Sequence, residues 1–223
     1  MPGELGPVFL QVPINILVYE NNEGCYRVAE ELKSMLSGGG SDLIAVTDAT
    51  AYLQMRKREK EEIDSIDSNI EANSMMEEVE YGLAMPNDVP SDAPAYLLLY
   101  LNQYTFLGNE QDLIELTVLV QSCIDNPDIT IVLAHERDNV SKGGCKFDIF
   151  FDKAPEELIN PPYSLFKDIA IPLYSDEVYR DVGLRQILCQ MGAKEYESVI
   201  LRSFERSFHG LRSMLKLVMI GTE

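Results

Sequence analysis

Two carboxylates, Glu110 and Glu115, stand in the stretch NQYTFLGNEQDLIELTVLVQ. An apolar run, AYLLLYL at 95–101, precedes them. An amphipathic pattern over about 110–124 then carries Leu113, Leu116, Val120 and Cys123 or Ile124 on one side. Segments that follow sheet strands are where open α/β sheets bind ligands, and a carboxylate placed there can move a proton or stabilise a developing positive charge. Glu110 also has a plainer use. With Asn109 as N-cap, Glu110 and Asp112 suit the positive end of a helix. Glu115 lies beyond the first turn, between Ile114 and Leu116, so capping does not explain it. Its bland alternative is an exposed helical glutamate.

A second candidate is ILVYENNEGCYRVAEELKSML at 16–36, which reads as strand, loop and helix. Loops of this kind hold phosphates through hydroxyl and backbone donors at a helix N-terminus. Here the loop carries Glu20, Asn21, Asn22 and Glu23, and Arg27 is the only nearby cation. Two carboxylates facing a phosphate dianion would outweigh the field of the helix end. The loop therefore reads as scaffold. A third region, KFDIFFDKAPEELINPPYSLFKDIAIPLYSDEVYRDVGLRQIL, contains no nucleophile–base pair. Its phenylalanines Phe147, Phe150 and Phe151 read as packing at the core edge. Nowhere is there a GxSxG motif, and neither His135 nor His209 has an evident Ser or Cys partner.

The elements that would position these residues are legible as alternation. Strands are expected at 14–19, 42–46, 95–101 and 129–134, with helices at 24–36, 110–124 and 181–193. Partial helix is expected around 52–66 and near 75–83, inside an acidic insertion at 56–93 that reads as mobile. CKFDIFF reads as a short strand or turn, and YSLFKDIAIPLY as a helix running into an extended segment. Continuous apolar strands between helices indicate a doubly wound, mainly parallel sheet of about five strands. At 223 residues the chain suffices for one such domain.

Charge narrows the function classes. The formal net charge is −19, and residues 1–120 alone hold 21 acidic against 6 basic side chains. Such a surface repels nucleic acid and anionic lipid. The basic cluster RKREK at 56–60 runs straight into Glu61, Glu62 and Asp64, and reads as a solvated helix face. No apolar run is long enough to span a membrane. Cys25, Cys123, Cys145 and Cys189 form no CxxC pair, and with two histidines no zinc site is expected. Cys123 and Cys189, in apolar helical patterns, read as small hydrophobes. A reducing, cytoplasmic setting is the expectation.

The order of elements resembles a Toll/interleukin-1 receptor (TIR) domain over 14–51 and 94–192. ILVY resembles its first strand and ELKSML its first helix. AYLLLYLNQYTFLGNEQDLIEL looks like the third strand and following helix, ITIVLA like the fourth strand, and YSLFKDIAIPL and GLRQIL like the closing helices. The family's tryptophan-containing helix start is absent, since the chain has no tryptophan, and TDATAYLQM lacks the Gly and Pro of its contact loop. The resemblance implies a flavodoxin-like fold with strand order 2-1-3-4-5. It implies action by homo-oligomerisation or by docking protein partners, in a chain that is whole or one domain of a longer receptor. Some members cleave NAD⁺ with one glutamate in the helix after the third strand; that role would fall to Glu115, with Glu110 as fallback. NAD⁺ would then be a substrate, with no resident cofactor and no metal. A flavodoxin-like ligand-binding domain is the remaining alternative.

Ile200, Phe204, Phe208, Leu211, Leu215 and Val218 form a stripe in an expected helix at 194–219. Burying each large side chain stabilises by roughly 1.5–3 kcal/mol, so the stripe should be covered, by the sheet's flank or by a second copy. Phe204→Asp distinguishes these: circular dichroism should report an unfolded domain in the first case. In the second, light scattering should report a folded monomer. A variant both folded and unchanged in mass refutes both.

Overall fold

The computed structural model describes residues 6–36, 40–70, 90 and 92–195, without the side chains of 63–70. Five strands make one parallel sheet: β2 (Ile14–Val18), β3 (Ile44–Asp48), β4 (Ala95–Leu101), β5 (Ile129–Glu136) and β6 (Ile171–Leu173). Their order is β3-β2-β4-β5-β6. Counted from the first strand of this sheet, that is the expected 2-1-3-4-5. Two further strands, β1 (Val8–Phe9) and β7 (Lys194–Glu195), pair antiparallel as a separate ribbon. The fold is doubly wound and flavodoxin-like.

The parallel arrangement follows from the strands' composition. Every residue of β2 is buried, and β4 buries all but Tyr96. Strands apolar on both faces need cover on both faces, which helical crossovers supply. On one face α1 (Cys25–Ser34) and α6 (Glu177–Gln190) pack Val28, Leu32, Leu184 and Ile187 against Ile16, Leu98 and Val132. On the other, α2 (Ala49–Ile70), α3 (Glu110–Ile124), α4 (Ile149–Lys153) and α5 (Glu156–Ile159) pack Tyr52, Leu116, Val120, Phe150 and Leu158 against Leu17, Leu97, Leu99 and Leu133. Gly183 lets α6 press on the edge strand, for a Cβ there would stand 2.6 Å from the Pro172 carbonyl oxygen.

Several expected boundaries move. CKFDIFF is no strand: the expected turn is there at Phe147–Asp148, and it runs straight into α4, which drives Phe150 into the core and leaves Phe151 half-exposed. In YSLFKDIAIPLY the expected helix is only a single 3-10 turn, Leu165–Lys167, while the expected extended segment is IPL, the fifth strand of the sheet, where the TIR resemblance puts a closing helix. α6 begins at Glu177, four residues before the expected start, because the Asp176 carboxylate accepts the Val178 and Tyr179 amides as an N-cap. The piece of helix expected at 52–66 is part of one 22-residue helix, α2. Residues 71–89, with the helix expected near 75–83, lie outside the described residues. So does the expected terminal helix from 196 onward; its first two residues, Lys194 and Glu195, are strand.

Ile16 is fully buried at the centre of the sheet, and Val118 is half-exposed on α3. Ile16→Ala should cost about 2–5 kcal/mol of unfolding free energy in urea titrations. Val118→Ala should stay within about 0.5 kcal/mol. Equal costs would show that the core is not where the fold places it.

Candidate functional site

Parallel strands all deliver their loops to one end, and among the described residues all the buried polar side chains but Asn15, near the start of β2, gather there. Asn22, Asn102, Thr105, His135, Glu136 and Arg180 are all buried at or beyond the carboxyl ends of β2, β4, β5 and β6.

The crevice between β2 and β4 is the point where the strand order reverses, the ligand position of this architecture. Here it is closed by the chain itself. The ladder between β2 and β4 ends at Leu17 and Leu97. Beyond it Asn22 takes over as a surrogate strand: its Nδ2 donates to the Tyr100 carbonyl at 2.8 Å and its Oδ1 accepts the Tyr100 amide at 2.9 Å. Asn102 Nδ2 donates back to the Glu23 carbonyl at 2.7 Å. Thr105 Oγ1 donates to the same Tyr100 carbonyl at 2.9 Å and accepts the Asn102 amide at 2.9 Å. Gly24 completes the closure. Its φ of 85° suits glycine, and a Cβ would lie 2.8 Å from the Tyr100 ring.

Beneath this clasp, on the face covered by α1 and α6, lies an ionic network. Glu136 has no solvent exposure. Tyr100 Oη donates to its Oε2 at 2.6 Å, and Arg180 Nη1 reaches Oε1 and Oε2 at 3.0 and 2.9 Å. Arg180 Nε also donates to Glu31 Oε2 at 2.6 Å, and Lys142 Nζ donates to Glu31 Oε1 at 3.1 Å. Arg27 lies 3.9 Å from the same carboxylate. Burial alone would raise the Glu31 pKa, but hydrogen bonds from Arg180 and Lys142 outweigh it and hold the carboxylate below its ordinary value. Burial first, and the Glu136 carboxylate second, push the Tyr100 phenol up, so its hydroxyl stays a donor.

The candidate glutamates stand apart from this network. Glu110 occupies the first turn of α3, exposed, beside a complete capping box between Asn109 and Asp112. Glu115 is exposed one turn on, and Gln111 Nε2 donates to its Oε1 at 2.9 Å. Its neighbour across the crevice is Tyr19. Burial raises that phenol's pKa, Asn21 Nδ2 at 3.2 Å opposes the rise, and the carboxylates of Glu115 and Asp112 add to it. The structure thus brings Glu115 to the rim of the switch point, but among the described residues no cation pairs with it. Arg27, the one cation expected near the loop at 19–24, faces Glu31.

The cysteines divide. Cys25 and Cys123 are fully buried, and burial pushes both thiols up to about 12; Cys25 Sγ donates to the Leu98 carbonyl at 3.0 Å. Cys189, expected to act as a small hydrophobe, is exposed on α6. Among the described residues no group of three or more His, Cys, Asp or Glu could hold a metal ion, and no helix is long and apolar enough to cross a membrane.

Glu31, Glu136, Lys142 and Arg180 were not marked by sequence pattern. The apolar run ITIVLA stops before Glu136, although the strand does not. The readable signal was the N-cap Asp176, which places Arg180 one turn into α6. No protein-family model matches the chain, and no curated protein or solved structure is measurably similar to it.

Arg180→Leu leaves Glu136 buried without its cation and should cost about 3–5 kcal/mol at neutral pH. Because the Glu31 pKa is lowered on folding, its contribution is complete above the unfolded value of about 4.3 and is lost as pH falls through the folded one. Glu31→Gln should therefore flatten the acid limb of a stability–pH curve measured by denaturant titration. An unchanged acid limb would refute the role given to Glu31.

Proposed function

We propose that this chain is a TIR-like assembly module that works by self-association or by docking a protein partner. One observation carries the reading: α3 turns an apolar stripe to solvent. Ile114 and Val118, one turn apart, are 51% and 55% exposed, and Leu107 in the preceding loop is 54% exposed. Scattered exposed apolar residues are ordinary, but a contiguous row on one helix marks a surface that another protein covers. The neighbouring ligand position is meanwhile filled by Asn22 and Asn102.

Charge favours a head-to-tail contact over a two-fold one. Glu115 flanks the stripe, so two identical faces would set like charges together. A partner surface with lysine or arginine around an apolar centre fits better. The chain's own second half, with 12 of the 18 basic residues, is less acidic than the first.

The proximity of Glu115 to Tyr19 favours a second reading, NAD⁺ cleavage in which Glu115 stabilises an oxocarbenium-like ribose as nicotinamide leaves. The acidic surroundings disfavour a pyrophosphate. A flavodoxin-like ligand domain is the least supported, since the loop at 19–24 presents carboxylates and a filled crevice.

Light scattering over a concentration series tests the leading reading. The protein should gain mass with concentration, and Ile114→Glu/Val118→Glu should stay folded by circular dichroism yet remain monomeric. The reading fails if the double variant assembles like the parent. Incubating the parent with NAD⁺ decides the second reading: nicotinamide release that Glu115→Gln abolishes would favour it. A yellow protein absorbing as a flavin would favour the third.

A further inference from the structure

Beyond the edge of β5 and β6, on the face opposite the ionic network, the surface opens into a cleft of about 740 Å³. That lies within the range of small-molecule sites. His135, Cys145, Phe147 and Phe166 line it, with Lys146 and Asp168 at the rim. From this arrangement we propose that the cleft binds an uncharged, flat aromatic heterocycle that presents an N–H donor to Nδ1 of His135.

The acceptor is set by the fold. His135 is 6% exposed, held edge-to-face by Phe147 and Phe150 with ring centroids 5.4 Å away in both cases. Its Nε2 lies 2.8 Å from the Cys145 carbonyl oxygen. A carbonyl only accepts, so Nε2 carries the hydrogen and Nδ1 is left with a bare lone pair. Burial above all keeps the imidazole below its ordinary pKa, against the Cys145 carbonyl, so this neutral tautomer persists at pH 7. Nδ1 makes no hydrogen bond among the described residues, yet it is not among the buried unpartnered atoms. It therefore opens to the cleft as an unused acceptor.

The walls choose the rest of the ligand. Phe147 and Phe166, 5.6 Å apart between ring centroids, offer aromatic surface to a flat ring. The other charged groups nearby are already engaged. Arg137 Nη1 donates to Tyr174 Oη at 3.0 Å, and Asp138 Oδ1 accepts the Ser175 amide. Lys146 and Asp168 oppose each other in sign, so the rim selects no net charge. An anionic edge would meet the His135 lone pair and be rejected. This site is independent of the α3 surface and of Glu115, and assembly can fail without affecting it.

The experiment uses His209→Gln, in which His135 is the sole histidine, labelled with ¹⁵N-histidine. Indole and 1-methylindole are titrated in turn. Indole should saturate and move the Nδ1 resonance, and 1-methylindole, which lacks the donor, should bind about tenfold more weakly. Indole and 1-methylindole binding alike, or an Nδ1 resonance unmoved by millimolar indole, overturns the proposal. In the parent protein His135→Phe should abolish the preference for indole; if that variant fails to fold, the two-probe comparison still decides.

Discussion

A carboxylate with no access to water, Glu136, sits at the end of the central region of the sheet, and the molecule is arranged around meeting its oxygens with partners. Removing Glu136 from solvent costs several kcal/mol unless its oxygens are fully satisfied. They are met by Tyr100 from the neighbouring strand and by Arg180 from α6. Arg180 in turn binds Glu31 on α1, which binds Lys142 in the loop after β5. One ion thus fixes the relative positions of two strands, two helices and a loop. Apolar packing alone would hold these elements together, but it is tolerant of sliding. The directional bonds to Glu136 are not.

The same tyrosine joins that network to the switch point. Tyr100 offers its hydroxyl to Glu136 on one face of the sheet, while its backbone is gripped by Asn22. The crevice used by related architectures for a ligand is therefore occupied by a side chain acting as backbone. The proposed sites all lie outside the clasp: the exposed residues Ile114 and Val118 on α3, Glu115 at the rim, and the cleft beyond β6. The first two share a helix, and the third lies across the sheet's far edge.

Long apolar runs made the sheet legible. AYLLLYL became β4 with its expected bounds, and the 110–124 pattern became α3, cap included. Where the pattern changed character, the reading slipped. β5 continues through His135 and Glu136 because each polar side chain finds partners on its own face, and such partners are invisible in a hydropathy pattern. The strand IPL is legible as an extended segment, but at three residues it is too short for the pattern to show that it joins the sheet as an edge strand. Glu115 was placed correctly on its helix, but its approach to Tyr19, which follows a different strand, is a tertiary contact that no local pattern shows. The contacts that hold the site span 36 to 149 residues of sequence.

The small ribbon of β1 and β7 has a mechanical consequence set by its register. Val8 stands opposite Glu195 and Phe9 opposite Lys194, so two stretches far apart in sequence lie side by side. Tension applied through both ends would meet the ribbon in the unzipping geometry, parting one residue pair at a time. The parallel sheet, whose strands would have to be sheared past one another, would be loaded only afterwards. Under that load the ribbon would be the first pairing to part, and Val8, packed in the core and bridged to Leu36, would be the first core residue drawn out.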